Sequence, residues 1–401
     1  MNRREALALL GATSMAAQQP DGMPPDEPRA LEPAQSDTGT LFADMERLGR
    51  RGGFPASAIE SSMTREQARR MVFEALGSEP PKADPRAQVV HRAEFDSFIR
   101  EKIVFTTAPE FRVPAYLHLP RKRTGRVPAI VDLHSHGGMF LFGKEKVIDF
   151  GANHPAMVEY HKANYEGRPT ATELARRGYA VITIDAFGFG ERRIQMDDDL
   201  KDGWDRARYS VEDVRRLNLK CRQKESTIVK TLAYAGLTWP GVVLWDDMRT
   251  VDYLLTRPEI DPARIGCVGV SMGGWRSLLL AGLDERIAAG CVTGFMSTVK
   301  PMRKRHMDTH SFVHFIPRLH DKLDLPDVVA LRAPKSLLVQ QCRRDGLFPL
   351  EGMEASVERI AAIYAKAGAA EAFTSKFYEV PHIFNKEMQE EAFTWFDQRL
   401  K

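Results

Sequence analysis

The chain of 401 residues lacks the features that mark several large protein classes. It has only four cysteines and no CxxC pair, which argues against a disulfide scaffold or a zinc module. They are Cys221, Cys267, Cys291 and Cys342. No apolar run approaches the roughly 20 residues that span a bilayer. The net charge is only +3, without the strong basic excess typical of nucleic-acid binding. We therefore expect a soluble protein that neither spans a membrane nor binds nucleic acid.

The N-terminus has the pattern of an export signal. Arg3 and Arg4 precede an apolar stretch that ends in small residues, which is typical of a twin-arginine signal peptide over residues 1–17. This interpretation predicts a periplasmic or secreted protein. The alternative is a frayed N-terminal helix on a cytoplasmic protein.

Two further segments are expected before the main domain. Residues 18–40 are rich in Pro, Asp and Gln and predict a disordered linker. Residues 41–94 predict a helical extension, in which Thr64 and Gln67 have the spacing of a capping box.

Apolar runs alternate with helical stretches from about residue 95 to residue 401. Residues 98–106 and 112–119 alternate apolar with polar positions, as half-buried antiparallel strands do. Later runs are almost continuously apolar, which is typical of parallel strands covered on both faces. These runs are 129–133, 180–185, 265–270, 288–293, 336–340 and 374–380. The pattern predicts one α/β domain over 95–401 with a mainly parallel, doubly wound sheet and two antiparallel strands at its start.

The intervening segments predict helices and two insertions. Thr170 and Glu173 have capping-box spacing at the start of one helix, and further helices are expected over 244–256, 272–283 and 387–400. Segments 191–240 and 296–330 do not fit the alternation. Because ligands bind at the carboxyl ends of parallel strands, we expect both insertions to wall an active site there.

The sharpest motif is Gly269-Val270-Ser271-Met272-Gly273-Gly274, between a predicted strand and a predicted helix. A nucleophile elbow places a serine on such a strained turn, and Gly269 and Gly273 avoid side-chain clashes with neighbouring strands. The sequence therefore predicts that Ser271 is a catalytic nucleophile.

A serine hydroxyl needs a base, and the base needs an orienting acid. In this topology the acid and the histidine follow the serine, each in a loop after a strand. Asp345 follows the run 336–340, and His382 follows the run 374–380. We predict that Ser271, Asp345 and His382 are the catalytic residues.

An oxyanion hole requires two N–H donors. Met272, directly after the serine, is expected to supply one donor. The loop His134-Ser135-His136-Gly137-Gly138 follows a predicted strand, and either Gly137 or Gly138 is expected to supply the other. The two histidines are expected to shape this loop.

Two clusters have less specific interpretations. His306, His310 and His314 are spaced four apart, but two prolines bracket the segment, so a polar pocket wall is favoured over a metal site. Residues 303–305, with Arg192 and Arg193, are interpreted as a solvated basic surface; the alternative is recognition of an acidic substrate.

These motifs together resemble the α/β-hydrolase superfamily over residues 95–400. Within it, the HSHGG loop and the GVSMGG elbow are similar to bacterial esterases of the acetyl xylan esterase and dienelactone-hydrolase-like group. The resemblance implies an α/β-hydrolase fold. Dienelactone hydrolases have cysteine at the elbow, so Ser271 argues against lactone hydrolysis of that kind.

The expected activity is hydrolysis of a small acyl ester, such as an acetyl group on a carbohydrate, through an acyl-enzyme. No cofactor is implied, since this chemistry needs neither metal nor nucleotide. One alternative is a peptidase of the prolyl oligopeptidase type, although the chain before residue 95 is too short for a propeller. Another is a non-enzymatic carbohydrate-binding member of the fold. The sequence leaves the oligomeric state open.

Overall fold

The computed structural model describes residues 63–77, 82–109, 111–197, 199, 206–302, 306–321 and 323–401. The expected signal peptide, the linker and the start of the helical extension lie outside these residues. In the described part of the chain, no helix is both long enough and apolar enough to cross a bilayer.

A single mixed sheet of nine strands forms the centre of the described structure. Its strands are β1 (Gln88–Glu94), β2 (Phe98–Ala108), β3 (Phe111–Pro120), β4 (Val127–Leu133), β5 (Ala180–Ile184), β6 (Ile260–Val270), β7 (Ile287–Thr293), β8 (Ser336–Cys342) and β9 (Phe373–Tyr378). Their spatial order is β1-β2-β3-β5-β4-β6-β7-β8-β9. Pairings among β1, β2, β3 and β5 are antiparallel, and all pairings from β5 to β9 are parallel. The predicted mainly parallel sheet is confirmed.

The antiparallel start of the sheet has one strand more than the sequence predicts. β1 lies within the segment expected to be helical, so that part of the prediction is wrong. Almost all of its residues are exposed, because β1 is an edge strand, and an exposed strand shows no apolar alternation. Helix α1 (Arg65–Leu76) precedes it, and the predicted capping box of Thr64 and Gln67 is present.

Helices cover both faces of the sheet. They are α2 (Pro155–Tyr165), α3 (Thr170–Arg176), α4 (Val211–Gln223), α5 (Glu225–Tyr234), α6 (Trp239–Leu255), α7 (Met272–Leu283), α8 (Val299–Met302), α9 (Leu325–Ala330), α10 (Leu350–Lys366) and α11 (Lys386–Leu400). On β4, Val131 is buried with α6 and α7, whereas its neighbour Ile130 is buried with α2 and α11. Burial on both faces explains why the inner strands are continuously apolar. The prediction of such burial is wrong for the run 374–380, because β9 is an edge strand and its residues before Tyr378 are partly or fully exposed.

The start of α3 differs from the prediction. Pro169 is its N-cap, and Thr170 is the first helical residue, so there is no capping box here. The Thr170 hydroxyl instead donates to the buried Asp132 carboxylate at 2.6 Å. Glu173 accepts a hydrogen bond from Arg168 at 3.1 Å. Tertiary partners therefore engage both side chains that the local pattern assigns to the cap.

Candidate active site

Ser271 lies on the sharp turn between β6 and α7, as the motif predicts. Its backbone is in the positive-φ region, with φ 60 and ψ −126. That conformation is uncommon for a residue with a side chain and typical of functional sites. A Cβ on Gly269 would lie 2.5 Å from the Leu133 carbonyl oxygen, and one on Gly273 would collide with the same atom. The two glycines therefore allow the turn to pack against the end of β4.

Asp345 and His382 meet in the loops that follow β8 and β9. His382 Nδ1 lies 2.5 Å from Asp345 Oδ2. The other carboxylate oxygen, Oδ1, accepts the Leu347 N–H at 2.9 Å. Because a carboxylate only accepts, the proton of the neutral imidazole lies on Nδ1, and Nε2 keeps its lone pair. That Nε2 is buried and has no hydrogen-bond partner among the described residues.

Ser271 and His382 line one cavity of ≈ 210 Å³. Asp345 lies behind the imidazole ring, away from the cavity lining. No hydrogen bond joins Ser271 to His382 Nε2 within the described part of the chain. Contacts of this kind are often long before a substrate binds. The structure thus brings together the three side chains that the sequence places in separate loops.

Both inserted segments wall this cavity, as predicted. The first contributes Arg222 and Glu225, and the second contributes Thr309, His310, Ser311 and His314. Phe295, Leu347 and Phe348 supply apolar surface. The cavity lining therefore combines numerous polar side chains with apolar and aromatic surface.

The loop after β4 forms another side of the cavity. Gly137 and Gly138 both have positive φ, 54° and 67°. The Gly138 N–H donates to His136 Nδ1 at 3.0 Å, whereas the Gly137 N–H has no acceptor among the described residues. His134 Nε2 accepts the Ala186 N–H at 3.1 Å, so this histidine holds the loop, as expected. Met272 opens α7, where a helix has no acceptor for its first N–H groups.

Lys146 supports the loop after β4 through hydrogen bonds, and the sequence analysis did not predict this role. Its ammonium group is buried and donates to the carbonyl oxygens of Ser135 at 2.7 Å and His136 at 2.9 Å. It also lies over the Phe189 ring, 4.7 Å from the centroid. Burial lowers the pKa of Lys146. Its sequence context, Gly143-Lys144-Glu145-Lys146, has the composition of an ordinary surface turn.

Glu225 is the second residue of the site that sequence reasoning missed. Its Oε1 lies 2.9 Å from His136 Nε2. Since His136 Nδ1 accepts the Gly138 N–H, the proton is on Nε2 and is donated to Glu225. Burial lowers the pKa of His136, which favours this neutral form. The two partners are 89 positions apart, and no local motif relates them.

The histidine cluster forms part of the pocket wall. His310 and His314 line the cavity, which confirms the predicted polar wall. In the described parts of the chain, no group of three or more histidine, cysteine or acidic side chains could hold a metal ion.

The expected solvated basic surface is wrong for two of its residues. Arg192 pairs with Asp246 at 2.5 Å, and Arg193 pairs with Asp199 at 2.6 Å; both arginine side chains are largely buried. Neither lines the cavity. Buried arginines are normally paired in this way, because an unpaired charge is costly inside a protein. Residues 303–305 lie outside the described residues.

Solved structures with this arrangement of strands and helices include several esterases. A protein of Bacteroides fragilis NCTC 9343, described as a "putative acetyl xylan esterase", has a TM-score of 0.62 and 18% sequence identity, covering 86% of this chain and 84% of that one. A glucuronoyl esterase of Solibacter usitatus has a TM-score of 0.55 and 12% identity, covering 85% and 93%. At these identities the likeness establishes the α/β-hydrolase fold.

Sequence comparisons extend the relationship beyond the fold. "Putative hydrolase YtaP" of Bacillus subtilis (strain 168) is 28% identical over 313 residues, covering 77% of this chain and 91% of that protein. The model of the Abhydrolase family matches residues 56–391. With its nine-stranded sheet and the serine between β6 and α7, the chain belongs to the Abhydrolase family.

Proposed function

We propose that this protein is a serine esterase that removes a small acyl group, such as acetyl, from a carbohydrate by way of an acyl-enzyme on Ser271. The observation that carries the proposal is the hydrogen bonding of the His382 ring. Nδ1 of His382 donates its proton to Asp345, and Nε2 of His382 has no partner among the described residues. The His382 ring lines the same cavity as Ser271. A general base beside a serine on a strained turn is the arrangement that acyl transfer requires.

In the proposed reaction, the Ser271 oxygen attacks the ester carbonyl while His382 Nε2 takes the hydroxyl proton. The carbon–oxygen bond to the alcohol then breaks, and His382 gives that proton to the leaving oxygen. Water then repeats the sequence: His382 takes a proton from the water, whose oxygen attacks the acyl carbon. The bond between that carbon and the Ser271 oxygen breaks, His382 returns the proton to Ser271, and the carboxylic acid leaves. Asp345 stabilises the imidazolium form of His382 in both halves of the cycle.

The negative charge on the carbonyl oxygen needs two N–H donors. We assign one to Met272, at the positive end of α7. The other is assigned to Gly137, because the Gly138 N–H already donates to His136 within the loop.

The substrate proposal has two supports. The fold neighbours include proteins described as acetyl xylan and glucuronoyl esterases. The cavity is also small, with a volume of ≈ 210 Å³, which suits a short acyl group better than a fatty acyl chain. Acyl transfer by this route needs no metal or nucleotide.

The proposal is tested with Ser271→Ala, and Ser97→Ala is the matched control at an exposed serine. We expect the Ser271 variant to lose hydrolysis of p-nitrophenyl acetate and covalent labelling by a fluorophosphonate, while the control keeps both. Turnover or labelling that survives in Ser271→Ala would falsify the proposal. A folded wild-type protein that is not labelled would instead indicate a non-enzymatic member of the family.

The class of bond is tested separately with an ester and its matching amide. We expect kcat/KM to be much higher for the ester. Comparable rates on both would indicate a peptidase.

We also propose that the chain is exported, on the basis of the pattern over residues 1–17. The test is expression of the full chain, cell fractionation and measurement of the mass of the mature protein. An intact N-terminus in the cytoplasmic fraction would contradict export.

A further inference from the structure

Two histidines in the cavity wall have imidazole nitrogens that no group in the described part of the chain satisfies. His310 Nδ1 lies 2.7 Å from the His306 carbonyl oxygen. A carbonyl only accepts, so Nδ1 carries the proton and Nε2 presents a bare lone pair. This Nε2, and both nitrogens of His314, are buried without a partner among the described residues.

The surroundings of these nitrogens are aromatic. The His314 ring lies 4.7 Å from the Phe295 ring and 5.4 Å from Trp275, between centroids. The His310 ring lies 4.9 Å from Phe348. Burial lowers the pKa of both histidines, so they are neutral. A buried polar atom without a partner is costly, and such atoms in a folded protein are frequently functional.

His310 lies on the side of the cavity where the leaving alcohol is expected, and the His314 ring is next to it, with 5.8 Å between the ring centroids. The Phe348 ring contacts His310 and is also near His382, with 6.4 Å between the ring centroids. In the proposed reaction, His382 gives its proton to the alcohol oxygen. The alcohol part of the substrate therefore lies beside His382, and His310 borders the same space.

The charge on this wall favours a neutral, hydroxylated group. The Glu225 carboxylate accepts hydrogen bonds from His136 and from the Phe312 N–H, at 2.9 Å and 3.2 Å. Phe312 lies between His310 and His314 in the chain, and Glu225 lines the same cavity as both histidines. The His310 lone pair, the one lone pair of a neutral His314 and the Glu225 carboxylate attract hydroxyl hydrogens and repel an anion, and the single N–H of His314 can donate to a hydroxyl oxygen. Arg222, which is exposed, also lines the cavity.

We propose that His310 and His314 form a subsite that accepts hydrogen bonds from hydroxyl groups on the alcohol part of the substrate, which selects an uncharged sugar over a plain ring alcohol. This inference rests on the proposed esterase function, because Ser271 and His382 define where the alcohol lies. The two histidines then determine specificity without taking part in the chemistry.

The test compares an acetylated methyl xyloside with cyclohexyl acetate, which has the same acyl group and a six-membered ring without hydroxyls. We expect the wild-type protein to prefer the xyloside. His310→Asn keeps an N–H for the His306 carbonyl but removes Nε2, and His314→Phe keeps a ring but removes both nitrogens. Each variant should lower kcat/KM for the xyloside roughly two- to tenfold relative to cyclohexyl acetate, the effect of one lost hydrogen bond. His91→Asn, on the exposed strand β1, should leave the ratio unchanged.

Several outcomes would overturn the subsite. Equal losses on both esters would mean that the histidines only pack the wall, and an unchanged ratio would mean that they do not contact the substrate. A preference for a uronate-bearing ester that is lost in Arg222→Gln would place recognition at Arg222. Thermal unfolding checks each variant, and His310→Asn decides the question if His314→Phe does not fold. Failure of the esterase proposal is distinct, because Ser271→Ala would then retain turnover.

Discussion

Glu225 accepts a hydrogen bond from His136 at 2.9 Å and thereby joins α5 to the loop after β4. The same carboxylate accepts the Phe312 N–H from the second inserted segment. One side chain thus connects three segments that surround the cavity. Because His136 in turn accepts the Gly138 N–H, this contact also orients the proposed oxyanion loop.

Glu225→Ala should therefore weaken both the fold and the activity. It leaves the buried His136 N–H and the partly buried Phe312 N–H unsatisfied, which should lower the free energy of unfolding by about 1–3 kcal/mol. We expect kcat/KM for p-nitrophenyl acetate to fall on the order of tenfold, the effect of about 1.4 kcal/mol of lost transition-state stabilisation. Glu225→Gln keeps an acceptor for His136 and should restore much of the loss. Glu358→Ala, an exposed position on α10, should change neither quantity, and equal behaviour of Glu225→Ala and Glu358→Ala would refute the role of Glu225.

Asp345→Asn tests the orientation of the proposed base. The amide can donate to His382 Nδ1, which forces the imidazole proton to Nε2 and removes the lone pair that faces the cavity. By analogy with the serine-protease triad, kcat should fall on the order of 10³- to 10⁴-fold. Steady-state kinetics measures this, with Asp96→Asn as an exposed control. If the Asp345→Asn variant kept more than a tenth of the wild-type kcat, the proposed role of Asp345 in orienting His382 would be excluded.

Gly273→Ala tests the packing of the elbow. The added Cβ would collide with the Leu133 carbonyl oxygen, and backbone atoms cannot move aside without shifting β4 against α7. The free energy of unfolding should fall by about 3 kcal/mol or more, as measured by chemical denaturation. Gly346→Ala, where an added Cβ meets nothing within 4 Å, should change it by less than about 1 kcal/mol. Similar values for the two variants would contradict this account of the turn.

Asp132→Asn tests the effect of a buried carboxyl on stability. Burial raises the pKa of Asp132 to about 7, against the effects of Thr170 and Arg276. The folded state therefore binds its proton more tightly than the unfolded chain, so the wild-type protein loses stability as the pH rises from the unfolded pKa of about 4 to about 7. The free energy of unfolding of Asp132→Asn minus that of the wild type should increase over this range, by up to about 4 kcal/mol, and then level off. Denaturation curves at several pH values measure it; a difference that is independent of pH would show that Asp132 is ionised in the folded protein.

The local sequence was sufficient to predict those site residues whose positions follow from the order and direction of the strands. Ser271, Asp345 and His382 each follow a parallel strand, and the carboxyl ends of parallel strands meet at one edge of a sheet. Their approximate convergence therefore follows from the order of strands along the chain. The glycines of the elbow were predictable for a similar reason, since a tight turn excludes side chains at those positions.

Local sequence patterns gave wrong predictions where a side chain or strand pairs with a group that is distant in the sequence. Thr64 and Gln67 form their capping box at an exposed helix start, but Thr170 donates to the buried Asp132 instead of capping α3. The strand β1 was missed because its exposed residues have no apolar alternation, and its pairing with β2 provides the backbone hydrogen bonds.

The sequence by itself determined the α/β-hydrolase fold, the position of the serine on its turn, and the two loops that carry Asp345 and His382. These properties depend on apolar periodicity and strand order, which are local or directional. Only the tertiary structure decided that Glu225 would hold His136, that Lys146 would support the loop after β4, and that His310 and His314 would keep ring nitrogens without a partner among the described residues. These features arise because folding buries polar groups from distant segments together, where each must find its partner in space rather than along the chain.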